Sequence, residues 1–332
     1  MIQEFGVLPD GTAVHEISLE KGSLKASILT LGAIIRDLKV DGATVVLGFE
    51  DLQSYLDHSA YFGVIAGRCA NRIARGHLPV DGTDHQLDLN QNGRHHLHGG
   101  SCGFSFRVWQ VEQHDKASVL LKLVSEDGDM GYPGRVEALA RYTLTGAGAL
   151  RLKITATTDK TTPVNLTQHA YFNLDGSDTI LDHTLEIAAE SYLPVDEDLI
   201  PTGEIRKVAW TPYDFREGRR LRRKPGEESV IYDHNFCLAD APRETVEFAA
   251  ALEDSAGERR MEVWTTEPGL QLYDAGQLSV PMPGLGGRNY APHAGLCLEA
   301  QRWPDSVHHE GFTRVLLRPS ETYSHVTEFR FS

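Results

Sequence analysis

Apolar and polar residues alternate with a period of two through most of this chain, and helical periodicity is scarce. Residues 149–157 (ALRLKITAT) put Leu150, Leu152, Ile154 and Ala156 on one face and Arg151, Lys153 and Thr155 on the other. Successive side chains of an extended chain point to opposite faces, so this pattern reads as a strand half-buried in an antiparallel sheet. Residues 23–40 alternate for much of their length. Similar runs occupy 119–124, 136–144, 184–188, 245–252, 261–265, 269–273, 295–300 and 322–331. Asp-Gly pairs stand at Asp10-Gly11, Asp41-Gly42, Asp81-Gly82, Asp127-Gly128 and Asp175-Gly176. Such pairs mark hairpins, because glycine readily takes a positive φ. One short helix is predicted over 51–58 (DLQSYLDH), capped by Asp51. There is no regular strand–helix alternation, which argues against Rossmann and TIM-barrel folds. No linker or low-complexity tract divides the chain. The expectation is a single all-β domain over 1–332, a large sandwich of antiparallel sheets.

Charge narrows the partners. The chain has 32 basic and 47 acidic residues among 332, a formal charge of −15. Such a surface repels phosphate backbones and anionic bilayers, so neither nucleic acid nor a membrane is an expected partner. The first ten residues, MIQEFGVLPD, contain no secretory signal pattern, and no apolar run approaches the ~20 residues of a membrane-spanning helix. Cys69, Cys102, Cys237 and Cys297 are scattered and form no C-x-x-C pair. Reduced thiols in a cytoplasmic protein are the plain expectation. The basic stretch 216–224 (REGRRLRRK) reads as a surface loop.

Five segments carry polar groups that a core strand does not need. In GRCANRIARG (67–76), Arg72 follows Asn71 within an apolar stretch; it is either a surface arginine or a ligand-holding one. In NQNGRHHLHGG (90–100), His95, His96 and His98 crowd before two glycines. A His-x-His pair can chelate zinc. No carboxylate or cysteine follows at a usual ligand spacing, however, and adjacent His95 and His96 would point apart on a strand. One histidine facing a polar cleft is the preferred reading. In TPVNLTQHAYFNL (162–174), a strand would place Asn165, Thr167, His169 and Tyr171 on one polar face, with His169 either in a wet cavity or simply buried and hydrogen-bonded. In YDHNFCL (232–238), Asp233 either caps a turn or faces a ligand. In AGLCLEAQRWPD (294–305), Glu299 interrupts an apolar strand, which is costly unless the acid is paired or functional. One His, one Glu, one Arg, one Asp and some amides, with no phosphate loop or nucleotide fingerprint, suit proton transfer on a neutral, hydroxyl-rich small molecule.

The motifs NRIARG (71–76), HLHGG (96–100), NLTQHAYFNL (165–174), LPVDEDLIPTGE (193–204), DHNFCL (233–238) and GLCLEAQRWPDS (295–306), in this order, closely resemble the aldose 1-epimerase (galactose mutarotase) family. The resemblance implies a galactose mutarotase-like supersandwich with a sugar site in a cleft and no cofactor or metal. It also implies an aldose substrate and a monomer or homodimer. By motif, Glu299 is implied as general base and His169 as general acid. Arg72, His98 and Asp233 would hold the sugar, with Asn71, Gln271 and Tyr171 as further contacts. Two segments depart from the family pattern. Arg94-His95 stands where relatives often carry Pro-Asn, and Tyr273-Asp274-Ala275-Gly276 where many carry Tyr-Thr-Gly-Asn; both are candidates for altered sugar preference.

Mutarotation then requires Glu299 to be ionised, with an ordinary value near ~4.3, and His169 protonated, near ~6.5. The rate is expected to rise as Glu299 ionises and to fall as His169 loses its proton. Three other readings stay open. A glycoside hydrolase would need two carboxylates flanking the bond. A sugar-binding protein on the same scaffold would leave anomer exchange unaccelerated. An epimerase of phosphorylated hexoses would need a basic phosphate pocket, for which only Arg94 and the 216–224 stretch offer support.

Overall fold

The alternating segments pair into long antiparallel sheets. A computed structural model describes residues 1–58, 61–222 and 230–332. Its largest sheet has nine strands. In spatial order these are Gln110–His114, Ser118–Ser125, Val136–Leu144, Ala149–Thr158, Tyr323–Phe331, Arg260–Thr265, Glu247–Glu253, Thr184–Ile187 and Arg219–Arg220. The C-terminal strand thus lies at the middle, paired with Ala149–Thr158 on one side and Arg260–Thr265 on the other. A second sheet of six strands runs in the order Tyr171–Phe172, Leu296–Gln301, Gly269–Tyr273, Asp233–Cys237, Ser191–Tyr192 and Arg206–Lys207. A five-stranded sheet is built from the first 44 residues.

One apolar cluster joins all three. Leu150, Leu152 and Ile154 from the first sheet are fully buried with Leu270, Leu272 and Leu296 from the second and Ile17 and Ile28 from the third. Each such side chain contributes roughly 1.5–3 kcal/mol on burial. Arg151 and Lys153, between the buried leucines, are exposed. The two-residue period therefore states directly which face turns inward.

Three Asp-Gly pairs turn hairpins. Asp41-Gly42 and Asp81-Gly82 take positive φ at both residues (50° and 85°, 48° and 78°), which matches the twist of paired strands. Asp10-Gly11 lies between the paired strands Ile2–Val7 and Ala13–Lys21. The other two do not turn hairpins. Asp127 accepts from Gly134 N and Asp175 from Ser177 N, so each carboxylate orders a longer loop instead. The predicted helix forms at Leu52–Asp57, and Asp51 caps it by accepting from Ser54 N.

Two local expectations need correction. The 162–174 segment is not one strand; only Thr162–Pro163, Thr167–Gln168 and Tyr171–Phe172 are extended ladders, each with a different partner. Gln168 breaks the run by bonding Gly63 O and Ala170 N with its amide. Within the basic 216–224 stretch, Arg219–Arg220 pairs as an edge strand with Thr184 and Leu185 rather than lying in a loop. Arg223 and Lys224 lie outside the described residues. No helix among the described residues is long and apolar enough to cross a membrane.

Candidate active site

The six-stranded sheet turns its apolar face to the core and its polar face to a cleft. On Leu296–Gln301 the residues Leu296, Leu298 and Ala300 belong to the core, so Cys297, Glu299 and Gln301 face the other way. Register lines up the same face of the neighbouring strands. Asn235, Gln271 and Glu299 are direct partners in one row, and Asp233, Tyr273, Cys297 and Tyr171 in the next. Above this floor lies a cleft of about 310 Å³, lined by Tyr61, Asn71, Arg72, Leu97, His98, His169, Tyr171, Leu199, Asp233, Tyr273, Gln277, Leu278, Ser279 and Glu299. That is the lower end of the size range of small-molecule sites.

His169 and Glu299 meet there. His169 Nε2 lies 3.6 Å from Glu299 Oε1, with both side chains buried. The His169 ring is placed by Tyr61 and Tyr171, with ring centroids at 5.9 and 5.2 Å and near-parallel planes. Its Nδ1 is 3.4 Å from Cys297 Sγ. Burial pushes the Cys297 thiol well up, with Glu299 adding to the effect. The thiol therefore keeps its proton beside the imidazole.

Protonation differs from the sequence expectation. Burial, assisted by Asp233, holds the Glu299 carboxyl well above the usual carboxylate range. Burial also pulls the His169 imidazole down to about 4. Both effects disfavour charge in a dry site. Burial therefore biases the pair towards a neutral carboxylic acid beside a neutral imidazole and against the ion pair. Nearby charges act in the opposite sense: Arg72 favours the Glu299 carboxylate, and Asp233 favours the His169 imidazolium.

A second group of side chains frames the cleft. Arg72 Nη2 donates to Asp233 Oδ2 at 3.3 Å and Arg72 Nε to Gln91 Oε1 at 3.1 Å. Asn71 Oδ1 accepts from the Arg72 backbone N at 2.8 Å, while Asn71 N donates to His98 Nδ1 at 3.1 Å. That last bond leaves the proton of His98 on Nε2. Burial pulls His98 well below its ordinary value, so it is a neutral donor.

Gln271 is placed differently from its expectation. It is not among the lining residues; its Nε2 donates to Asp233 Oδ1 at 2.6 Å and holds that carboxylate in place. Asn165 and Thr167 also miss the cleft. Asn165 bonds the backbone of Arg302, and Thr167 bonds Ala300 O.

Residues not singled out from the sequence complete the walls. Tyr61, Gln277, Leu278 and Ser279 line the cleft, beside Tyr273 of the departing 273–276 segment. Leu199 does so from the 193–204 motif at φ 63°, a conformation that is costly for a bulky side chain. It is held from both sides. Asp196 Oδ1 accepts from Asp198 N and Ile200 N, and Arg94 clamps the Asp198 carboxylate with N···O distances of 2.7 and 2.6 Å. The unusual Arg94 therefore acts on the cleft through a loop.

The histidine cluster does not assemble as a chelate. His96 is committed to Tyr132 Oη and Asp88 O, both at 2.7 Å. His95 receives Arg75 N, and His98 faces the cleft. The ligand atoms of His169, Cys297 and Glu299 lie within 4.8 Å of one another. A metal there would need the raised Cys297 thiol and Glu299 carboxyl to be deprotonated, so the donor set fits one poorly. All four cysteines are free.

Residues 15–330 match the family model described as aldose 1-epimerase. The chain belongs to the aldose 1-epimerase family. It is 42% identical to galactose mutarotase of Rattus norvegicus, across 99% of this chain and 97% of that one. It is 35% identical to aldose 1-epimerase of Escherichia coli (strain K12), across 97% and 96%. In structure it is similar to an aldose epimerase homologue from C. elegans, with a TM-score of 0.90 and 31% identity over 96% of this chain and 99% of that one. The galactose 1-epimerase of Lactobacillus acidophilus NCFM superimposes with a TM-score of 0.86 and 28% identity, covering 100% and 98%. Family membership makes this epimerase an isomerase and agrees with the expected supersandwich.

Proposed function

We propose that this epimerase interconverts the α and β anomers of free aldohexoses such as glucose and galactose, with His169 and Glu299 as the acid–base pair. The 3.6 Å approach of His169 Nε2 to Glu299 Oε1 inside a polar cleft of about 310 Å³ is the observation that carries this reading. Glu299 takes the proton of the anomeric hydroxyl while His169 gives one to the ring oxygen. The C1–O5 bond breaks and a free aldehyde forms. Rotation about C1–C2 presents the other carbonyl face, and reclosure reverses both transfers.

Burial helps the opening step. The reactive state carries Glu299 as carboxylate and His169 as imidazolium; after the transfers both are neutral. A site that disfavours charge on each therefore favours the product of ring opening. Arg72, Asp233 and His98 hold the ring substituents while C1 turns. Arg72 and neutral His98 donate, and Asp233 accepts.

Arg72 is the only Lys or Arg among the cleft-lining residues described, and it already faces Asp233. Arg94 is bound to Asp198, Arg216 to Asp214 and Arg222 to Asp182, all away from the cleft lining. Free sugars are thus favoured over phosphorylated ones. Polarimetry of fresh α-D-glucose and α-D-galactose with catalytic protein tests the proposal. Sugar binding without faster anomer exchange would leave a binding protein, and release of reducing sugar from an aryl glycoside would point to a hydrolase.

A further inference from the structure

His77, His308 and Asp305 line an open groove that shares no lining residue with the sugar cleft, and Asp84 extends the row at its edge through His77. His77 Nε2 is 3.0 Å from Asp84 Oδ1. His308 Nδ1 is 2.7 Å from Asp305 Oδ1. Between them, His77 Nδ1 and His308 Nε2 face each other at 3.3 Å.

Counting protons shows that this row is incomplete. Each ionised carboxylate only accepts, so each contact to a carboxylate needs an N–H from its imidazole. Two neutral imidazoles supply two N–H groups, and the carboxylates use both. His77 Nδ1 and His308 Nε2 are then two lone pairs pointed at each other. The central contact requires one positive particle, either a shared proton or a metal ion.

The geometry suits a metal. Two Zn–N bonds of ~2.0–2.1 Å at a tetrahedral angle span roughly 3.3–3.4 Å, which matches the observed separation; with ring centroids 5.5 Å apart and planes 13° from parallel, each ring needs a small turn to aim its lone pair at the ion. An imidazole whose second nitrogen donates to a carboxylate is the usual form of a metal-ligating histidine. The two carboxylates also offset the cation's charge. The half-exposed His77 leaves the centre open to entering ions, whereas Asp305 is buried. Asp305 is fixed in turn by accepting from Ala74 N at 2.9 Å. His309 stands on the same groove, its Nε2 3.6 Å from Asp305 Oδ2.

We propose that His77 Nδ1 and His308 Nε2 bind one divalent transition-metal ion of the zinc class, with Asp84 and Asp305 orienting the two rings and water filling the remaining positions. The ion would tie the Leu78-containing hairpin of His77–Val80 and Thr83–Gln86 to the Ser306–His308 turn, which follows the strand that carries Glu299. It would act structurally and take no part in proton transfer to sugar.

Calorimetric titration of ZnCl₂ into the untagged, chelator-stripped full chain at pH 7.5 tests this. One zinc per chain is expected, with binding weakened at least tenfold in His77→Ala and in His308→Ala. Asp84→Asn, which removes only a ring-orienting carboxylate, should weaken it by roughly tenfold, at the low end of such effects. Zinc should raise the melting temperature of the wild type and not that of His77→Ala, since a ligand stabilises only a fold that binds it. Mutarotation by metal-free His77→Ala should equal that of metal-free wild type. No binding at pH 7.5 would assign the gap to a shared proton and overturn the proposal. Unchanged zinc binding in both histidine variants would overturn it too, by placing the ion elsewhere.

Discussion

His169 Nε2 stands 3.6 Å from Glu299 Oε1, although 130 positions separate the two residues in sequence and they lie on different strands or strand junctions. Each is buried, and burial disfavours charge on both.

The pair acts as a unit, so its variants should not add. Glu299→Gln keeps the shape and removes the base; His169→Asn keeps some hydrogen bonding and removes the donor. Each should lower kcat by about 10²–10⁴. The double variant should be little worse than the worse single one. Polarimetry on folded protein, checked by circular dichroism, reads this. Near-wild-type rates for Glu299→Gln would defeat the mechanism.

The pH profile should be wide, with its flanks exchanged relative to ordinary carboxyl and imidazole behaviour. The pair gains a second proton only as His169 titrates, at about 4, and loses its last as Glu299 ionises, well above the usual carboxylate range. Between these limits one proton is shared and the reactive arrangement persists as a fixed minority. kcat/KM should therefore bend down on the acid side near pH 4, hold a plateau above that, and fall again as Glu299 ionises above the usual carboxylate range. A decline centred near the ordinary imidazole value of ~6.5 would instead assign the alkaline flank to His169.

Arg94 should affect affinity rather than chemistry. It clamps Asp198, and Asp198 adjoins the strained Leu199 that walls the cleft. Exposed ion pairs are worth about 0.2–1 kcal/mol. Arg94→Ala should raise KM for hexoses by no more than about fivefold and leave kcat unchanged. A matched fall in kcat would mean that the loop positions the acid–base pair as well.

Glu267 should make stability fall with pH. It is fully buried with neither carboxylate oxygen hydrogen-bonded, and Arg302 Nε is 3.9 Å away. Burial pushes it up to about 7, opposed in part by Arg302. A folded-state value raised above that of the unfolded chain contributes stability fully present below the unfolded value near ~4.5, and that contribution is lost as pH rises through about 7. The loss is on the order of 3 kcal/mol. Glu267→Gln cannot ionise, so its urea-unfolding free energy should lack this decline between pH 5 and 8. An unchanged slope would show that other groups govern it.

Much of the scaffold was legible because its signals are local. The two-residue period in 149–157 states which side chains turn inward, and paired Asp-Gly residues at 41–42 and 81–82 state where strands reverse. Asp51 states where the helix begins. Glu299 stood out because an acid among leucines needs a reason. The proposed roles of Glu299 as base and His169 as acid came from motif resemblance and not from periodicity. The same local reading failed at 162–174, where the Gln168 amide diverts the backbone into three short ladders.

The sequence by itself determined an antiparallel sandwich and the motifs of a sugar-handling site. Only the tertiary structure decided which groups share that site and in what protonation state. Arg72 and Asp233 meet across 161 residues. Tyr61, Leu199 and Gln277 enter the walls from loops that carry no periodic signal. Gln271 turns to Asp233 rather than into the lining. The reason is physical: strand pattern and turn type depend on neighbours along the chain, whereas desolvation and charge depend on everything packed around a group. The burial that disfavours charge on both His169 and Glu299 exists only once the sheets have closed over them.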